Sequence, residues 1–183
     1  MAADTGRLVR LARAGDTAAF EQLVRRHLRA AFAVALGVTG DADDAEDVAQ
    51  DSFIVALERL NDCADPDRFS AWLMKIVRNR ALNLRRSRTR RAAVPLQDLS
   101  IASTHDPARD TERVLLRERL LEEMQSLTEL QRQVLMLHDL EGFRHREVAE
   151  ALDISEVSSR VHLFAARRAL RARLNGRYNH EGA

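Results

Sequence analysis

Along this chain, apolar positions recur at helical spacing and break at a few polar or glycine-containing points. Leu8, Leu11 and Ala12, then Phe20, Leu23, Val24, His27, Leu28 and Ala31, follow the period of an amphipathic helix, so residues 7–38 predict one or two helices. Gly15 and Asp16 separate the two stretches, and Asp16 or Thr17 is placed to cap the second. Beyond a break at residues 37–43, Val48, Ile54, Val55, Leu57 and Leu60 predict a third helix from about Asp44 to Leu60. The stretch NDCADPDRFS, residues 61–70, reads as a loop because Pro66 and clustered Asp and Asn disfavour helix. A fourth helix, Ser70 to about Arg88, turns Trp72, Leu73, Ile76, Val77 and Leu84 towards a core. Residues 92–111 lose the period and carry two prolines, the mark of a linker. From Glu112 to Leu174 the helical period returns, broken at Gly142 and at residues 153–155. No stretch alternates with a period of two. The expected fold is all-α: two small helical domains, residues 1–91 and 112–177, joined by a flexible linker at 92–111 and followed by a tail at 178–183.

Composition narrows this picture. Hydrophobic residues make up 45% of the 183 positions, enough for a core, while aromatics are only 4%, a mix that favours helix. The single cysteine, Cys63, excludes an internal disulfide and a multi-cysteine zinc site. No apolar run reaches membrane-spanning length and the first residues lack a signal-peptide pattern, so a cytoplasmic chain without membrane insertion is expected.

Charge adds more than its total suggests. The formal net charge is only +1. Yet Asp41, Asp43, Asp44, Glu46, Asp47 and Asp51 lie together with no basic residue among them. Residues 68–91 then carry nine cations and no acid. A solvated helix face seldom runs so long in one sign, and cations interspersed with Asn79 and Asn83 suit a phosphate backbone with some base contacts. Phe69 and Trp72 stand beside the loop, where an aromatic either stacks on an unpaired base or packs in the core.

The segment 144–173 has the grammar of a helix-turn-helix. REVAEAL offers Val148, Ala149 and Leu152 to a core. Asp153 takes the turn position usually given to glycine, Ile154 plugs the angle, and Ser155 caps the second helix. Ser158, Ser159, Arg160 and His162 then lie near that helix's start, and Arg167, Arg168, Arg171 and Arg173 extend a positive surface. A plain helical hairpin with a basic face fits the same spacing, and His162 alone suits a surface or capping role equally well.

Taken together, three stretches in this order resemble a bacterial RNA polymerase sigma factor of the extracytoplasmic-function (ECF) group of the sigma-70 family. DAEDVAQDSFIVALERL is similar to the family's region 2.2, RFSAWLMKIVRNRALNLRR to regions 2.3 and 2.4, and LTELQRQVLMLHDLEGFRHREVAEALDISEVSSRVHLFAARRALR to region 4. The resemblance implies a protein that binds core RNA polymerase, at the clamp of the largest catalytic subunit and at the flap, and directs promoter-specific initiation. It implies no catalytic residues, metal or cofactor. Core docking falls by motif position on Asp44, Asp47, Gln50, Asp51 and Phe53. Capture and reading of the melted −10 element fall on Asn61, Asp62, Arg68, Phe69, Trp72, Lys75, Arg78, Asn79, Arg80, Asn83 and Arg86. Reading of the −35 duplex falls on Arg144, Ser155, Ser158, Ser159, Arg160, His162 and Arg167. An anti-sigma factor is a further implied partner. The sequence departs from the family where Asp153 and Val157 replace common glycines and where Arg160-Val161-His162 replaces a Lys-Ser-Arg run, which leaves the −35 base preference open. No domain is expected between the two halves or after the second.

Other readings compete. The acidic stretch could hold a hard cation, but it lacks the spacing of an EF-hand. A conventional dimeric helix-turn-helix regulator would bind duplex DNA without polymerase. A protein-binding helical adaptor would not need the basic helix.

Overall fold

The computed structural model describes residues 2–92, 124 and 126–178, and every described regular element is helical. Helix α1 spans Ala2–Arg13 and α2 spans Thr17–Thr39. Asp16 caps α2, its carboxylate accepting from the Ala19 N–H at 3.0 Å. The helix ends at Gly40, whose φ of 71° closes the last turn on the Leu36 carbonyl. Helix α3, Ala42–Glu58, begins under an Asp41 cap. Two 3-10 turns, Leu60–Asp62 and Pro66–Arg68, shape the expected loop, and α4 follows at Phe69–Ala92. The predicted starts and ends of α3 and α4 lie within a few residues of these.

These four helices bury one apolar face each. Val9, Leu23, Val34, Phe53, Leu73, Met74 and Val77 are almost fully withdrawn from solvent. The loop is tied back from below: the Arg13 guanidinium donates to the Leu60 carbonyl at 3.0 and 3.1 Å and also to that of Cys63. Arg13 thereby fixes the path of residues 60–63, just ahead of the basic helix.

In the C-terminal half, α5 spans Glu129–Leu135 and continues as a single π-helical turn, Met136–Leu140, where the sequence alone suggests an unbroken helix. Thr128 and Gln131 close a capping box at the start of α5. Helices α6, His145–Leu152, and α7, Glu156–Tyr178, complete the helix-turn-helix. Val134, Leu137, Val148, Leu152, Leu163 and Ala166 form its core. The expected linker at 92–111, past Ala92, and the helix expected over residues 112–123 lie outside the described residues.

The sequence suggests two halves that move independently when free. In the structure the two halves are packed against each other, α2 against α5 and the π turn, and α4 against α6. Gly37 permits the approach: a Cβ there would lie 2.6 Å from Gln133 Cγ. Gln133 is itself fully buried, which helix periodicity gives no reason to expect of a glutamine.

Candidate polymerase and nucleic-acid interface

Helix α3 presents its carboxylates unevenly. Asp47 and Gln50 are exposed, with Gln50 donating to Glu46 at 3.2 Å. Asp51 is exposed but accepts from Arg80 of α4 at 2.5 Å. Asp44 is 7% exposed and paired with Arg88; burial pushes its carboxyl up, and the Arg88 guanidinium partly opposes that shift. Phe53, at 5% exposure, belongs to the core rather than to a docking face. Acidic and basic faces therefore neutralise each other along the α3–α4 seam and diverge on either side of it. Among the described residues no group of three His, Cys, Asp or Glu side chains could hold a metal ion.

On α4, Lys75, Asn79, Asn83 and Arg86 are all exposed at steps of four, four and three, which puts them on one stripe. Arg78 and Arg80 flank that stripe, half-buried. In the loop, Asn61, Asp62 and Arg68 are exposed. Phe69 is fully buried, its ring 5.5 Å from His27 and 5.8 Å from Trp72. Trp72 packs on Phe69 with one side while lining a cleft with the other. Trp72 is therefore both packed and accessible from the cleft, whereas Phe69 presents no ring face to solvent. Cys63 is also buried; burial pushes its thiol up, and its Sγ donates to the Asp65 carbonyl at 3.3 Å.

The helix-turn-helix forms as its spacing predicts. Asp153 is left-handed at φ 57°, ψ 49°, and Ser155 Oγ accepts from the Ser158 N–H at 3.0 Å. Arg144 precedes α6, its backbone N–H held by Glu147 at 2.8 Å and its side chain exposed. On α7, Arg160 is exposed and pairs with Glu156, one turn earlier, at 3.0 Å. His162 and Ser158 are half-buried.

Two candidates of this set have partners within the protein. Ser159 is fully buried, its Oγ 2.9 Å from His145 Nδ1, so the hydroxyl joins α7 to α6 inside the domain. Arg167 forks onto Asp139 at 2.7 and 3.0 Å and holds that carboxyl below its usual range. Both residues hold the motif together.

The structure also shows what polarity-based reasoning passes over. Val157, Val161 and Phe164 are 66%, 59% and 69% exposed and follow one another at four and three residues along α7. Apolar side chains exposed on the second helix of a helix-turn-helix are candidates for contact with thymine methyl groups. Their helical spacing, out of phase with buried Leu163 and Ala166, is the signal that could have revealed them.

Known proteins share this arrangement. The sigma-70 region 2 family matches residues 23–91, and the sigma-70 region 4 family matches residues 117–170. The probable RNA polymerase sigma factor RfaY of Xanthomonas campestris is 34% identical across 92% of this chain, which spans 43% of RfaY's length. NccH, an RNA polymerase sigma factor of Alcaligenes xylosoxydans, is 32% identical over 91% of this chain and 92% of its own. The solved structure of CnrH in complex with the cytosolic domain of CnrY superposes with a TM-score of 0.71 at 29% identity, covering 94% of this chain and 98% of that one. No described helix is long and apolar enough to cross a membrane. With both sigma regions present in order in one chain, the protein belongs to the sigma-70 family, in its extracytoplasmic-function group.

Proposed function

We propose that this protein binds core RNA polymerase in the cytoplasm and directs it to promoters, recognising a −35 duplex with α6–α7 and a melted −10 element with α4 and the loop before it. The observation that carries this reading is the separation of charge within the stretch matching the family's region 2. Exposed Asp47 and Gln50 on α3 meet the polymerase; the Lys75–Asn79–Asn83–Arg86 stripe on α4 meets nucleic acid. Opposite signs on adjacent helices repel the wrong partner from each face and steer the right one.

The protein needs no covalent chemistry for this role. Lys75 and Arg86 engage phosphates, while the two asparagines offer amides to exposed bases. Capture of an unpaired base in the cleft beside Trp72 offsets a few kcal/mol of unstacking and holds the duplex open. On α7, Arg160 and His162 offer donors to base edges, and Val157, Val161 and Phe164 offer apolar contact to thymine methyls. Arg144 takes a phosphate at the start of α6. An anti-sigma partner is part of the proposal, supported by the CnrH–CnrY complex.

Reconstitution with bacterial core polymerase tests the reading. Specific transcription from a genomic promoter library, with permanganate-reactive thymines only when both components are present, is the expected result. Tight duplex binding without polymerase, and no bubble, would make the protein a conventional regulator.

A further inference from the structure

Helix α1 lies before residue 23, where the match to sigma-70 region 2 begins, and none of the residues assigned to DNA belongs to it. It nevertheless supports the loop at residues 60–68 from beneath. Leu8 and Val9 bury one face of α1 in the N-terminal core. Gly6 and Arg13, two turns apart, share a second face that meets the loop. At Gly6 the approach is so close that a Cβ would overlap the Asp67 carboxylate. Arg13, the last residue of the helix, acts as a staple. Its Nε and Nη2 donate to the Leu60 carbonyl at 3.1 and 3.0 Å, and Nη2 also donates to the Cys63 carbonyl. The Leu60 carbonyl further closes the first 3-10 turn by accepting from the Cys63 N–H at 3.3 Å. Leu60 and Cys63 are buried, while Asn61 and Asp62 between them are exposed. Past them, the Asp65 carboxylate accepts from the Asp67 N–H at 3.0 Å.

A planar guanidinium can bridge two carbonyls three residues apart; an ammonium on a flexible stem does not hold both in one geometry. Pinning both ends of a two-residue exposed tip removes freedom that the tip would otherwise lose on meeting a base. We propose that α1 belongs to the −10 site, with Arg13 as a positioning residue: by stapling Leu60 and Cys63 it holds Asn61 and Asp62 ready to receive an unpaired base, and Gly6 lets the helix lie close enough to do so. This rests on the reading of the loop as the place of base capture. Arg13 acts through the shape of the loop, so polymerase docking through α3 does not depend on it.

The test uses holoenzyme assembled from core polymerase and the full chain. Fluorescence anisotropy measures affinity for a labelled non-template strand carrying a promoter's −10 element, intact or with an abasic site at each position in turn. In the wild type, the abasic site at the captured base should cost about fivefold or more in affinity. In Arg13→Ala the intact strand should bind weaker by about the same factor, and the abasic penalty should all but vanish. Arg13→Lys keeps the cation and one donor, serves where the alanine variant melts near the assay temperature, and should retain only part of the penalty. Arg7→Ala removes an exposed cation from the same helix and should keep the whole of it. Affinity for core polymerase, measured by competition against a second sigma factor, should match the wild type in all three. An abasic penalty undiminished in both Arg13 variants overturns the staple, because a merely stabilising residue would leave it intact. A loss in Arg7→Ala equal to that in Arg13→Ala also overturns it, by tracing the effect to charge, and so does weakened core binding in Arg13→Lys. No abasic penalty at any position in the wild type instead overturns base capture by the loop, and the positioning role with it.

Discussion

The His27 imidazole sits 5.5 Å from the Phe69 ring, tilted by 54°, inside the N-terminal half. Burial, with Arg26 nearby, lowers its pKa from 6.5 to about 4. The native state thus resists a proton that the unfolded chain takes up readily. Stability is full above about pH 6.5 and falls as pH drops towards 4, by at most about 3 kcal/mol for this group. His27→Leu should remove that dependence while keeping an apolar side chain against Phe69. Urea unfolding at pH 7 and pH 5 should show a smaller stability loss for the variant than for the wild type; equal losses would place the titration elsewhere.

Asp153 carries a left-handed backbone that glycine adopts without strain. Asp153→Gly should therefore hold or raise the thermal midpoint, whereas Asp153→Val should cost about 1–2 kcal/mol, because a β-branched residue pays the steric penalty in full. Neither side chain is proposed to touch DNA, so duplex preference at the −35 element should survive both changes. Thermal melts with selection of bound sequences from a random library separate the two effects.

On α3, exposed Asp47 and seam residue Asp51 behave differently. Asp47→Arg reverses an exposed charge and should lower affinity for core polymerase about tenfold or more with little change in stability. Asp51→Arg additionally sets a cation against Arg80, 2.5 Å from the original carboxylate, and should lose some stability as well. Competition for core polymerase against a second sigma factor, alongside melting curves, should show this split. Undiminished core affinity in Asp47→Arg would remove α3 from the interface.

Local physics explains which features were legible in the sequence. Asp16 and Ser155 cap because their own side chains reach the next turn, and Asp153 bends because the chain must reverse there; neighbouring residues suffice to see it. Helix periods likewise mark Leu23, Leu73 and Val148 as core. What the period leaves undecided is the direction of residues at the border of an apolar face. Phe53, Phe69 and Asp44 turned inward, and so did Ser159, while Phe164 turned outward. Those choices depend on which helix lies opposite. The packing of the two halves was hidden for the same reason: it rests on Gly37 meeting Gln133, residues nearly a hundred positions apart that show no sign of each other in either local pattern.

Adjacent serines on α7 provide the sharpest test of the proposed contact between α7 and DNA. Ser158 is half-buried near the helix start, with its backbone N–H already capped by Ser155. Ser159 is sealed in the domain beside His145, whose pKa is lowered first by burial. Ser159→Ala should leave His145 Nδ1 without its partner and cost about 1 kcal/mol of stability, yet keep the −35 preference unchanged. Val161→Ala should do the reverse. It removes exposed methyl groups, so the fold loses little, but contact with a thymine methyl weakens by about 1 kcal/mol, roughly fivefold in affinity for the preferred duplex. Replacing thymine by uracil at the contacted position should reproduce that loss in the wild type and add nothing in Val161→Ala. A uracil effect that persists undiminished in the variant would assign methyl recognition to another side chain, with Val157 and Phe164 next to be substituted.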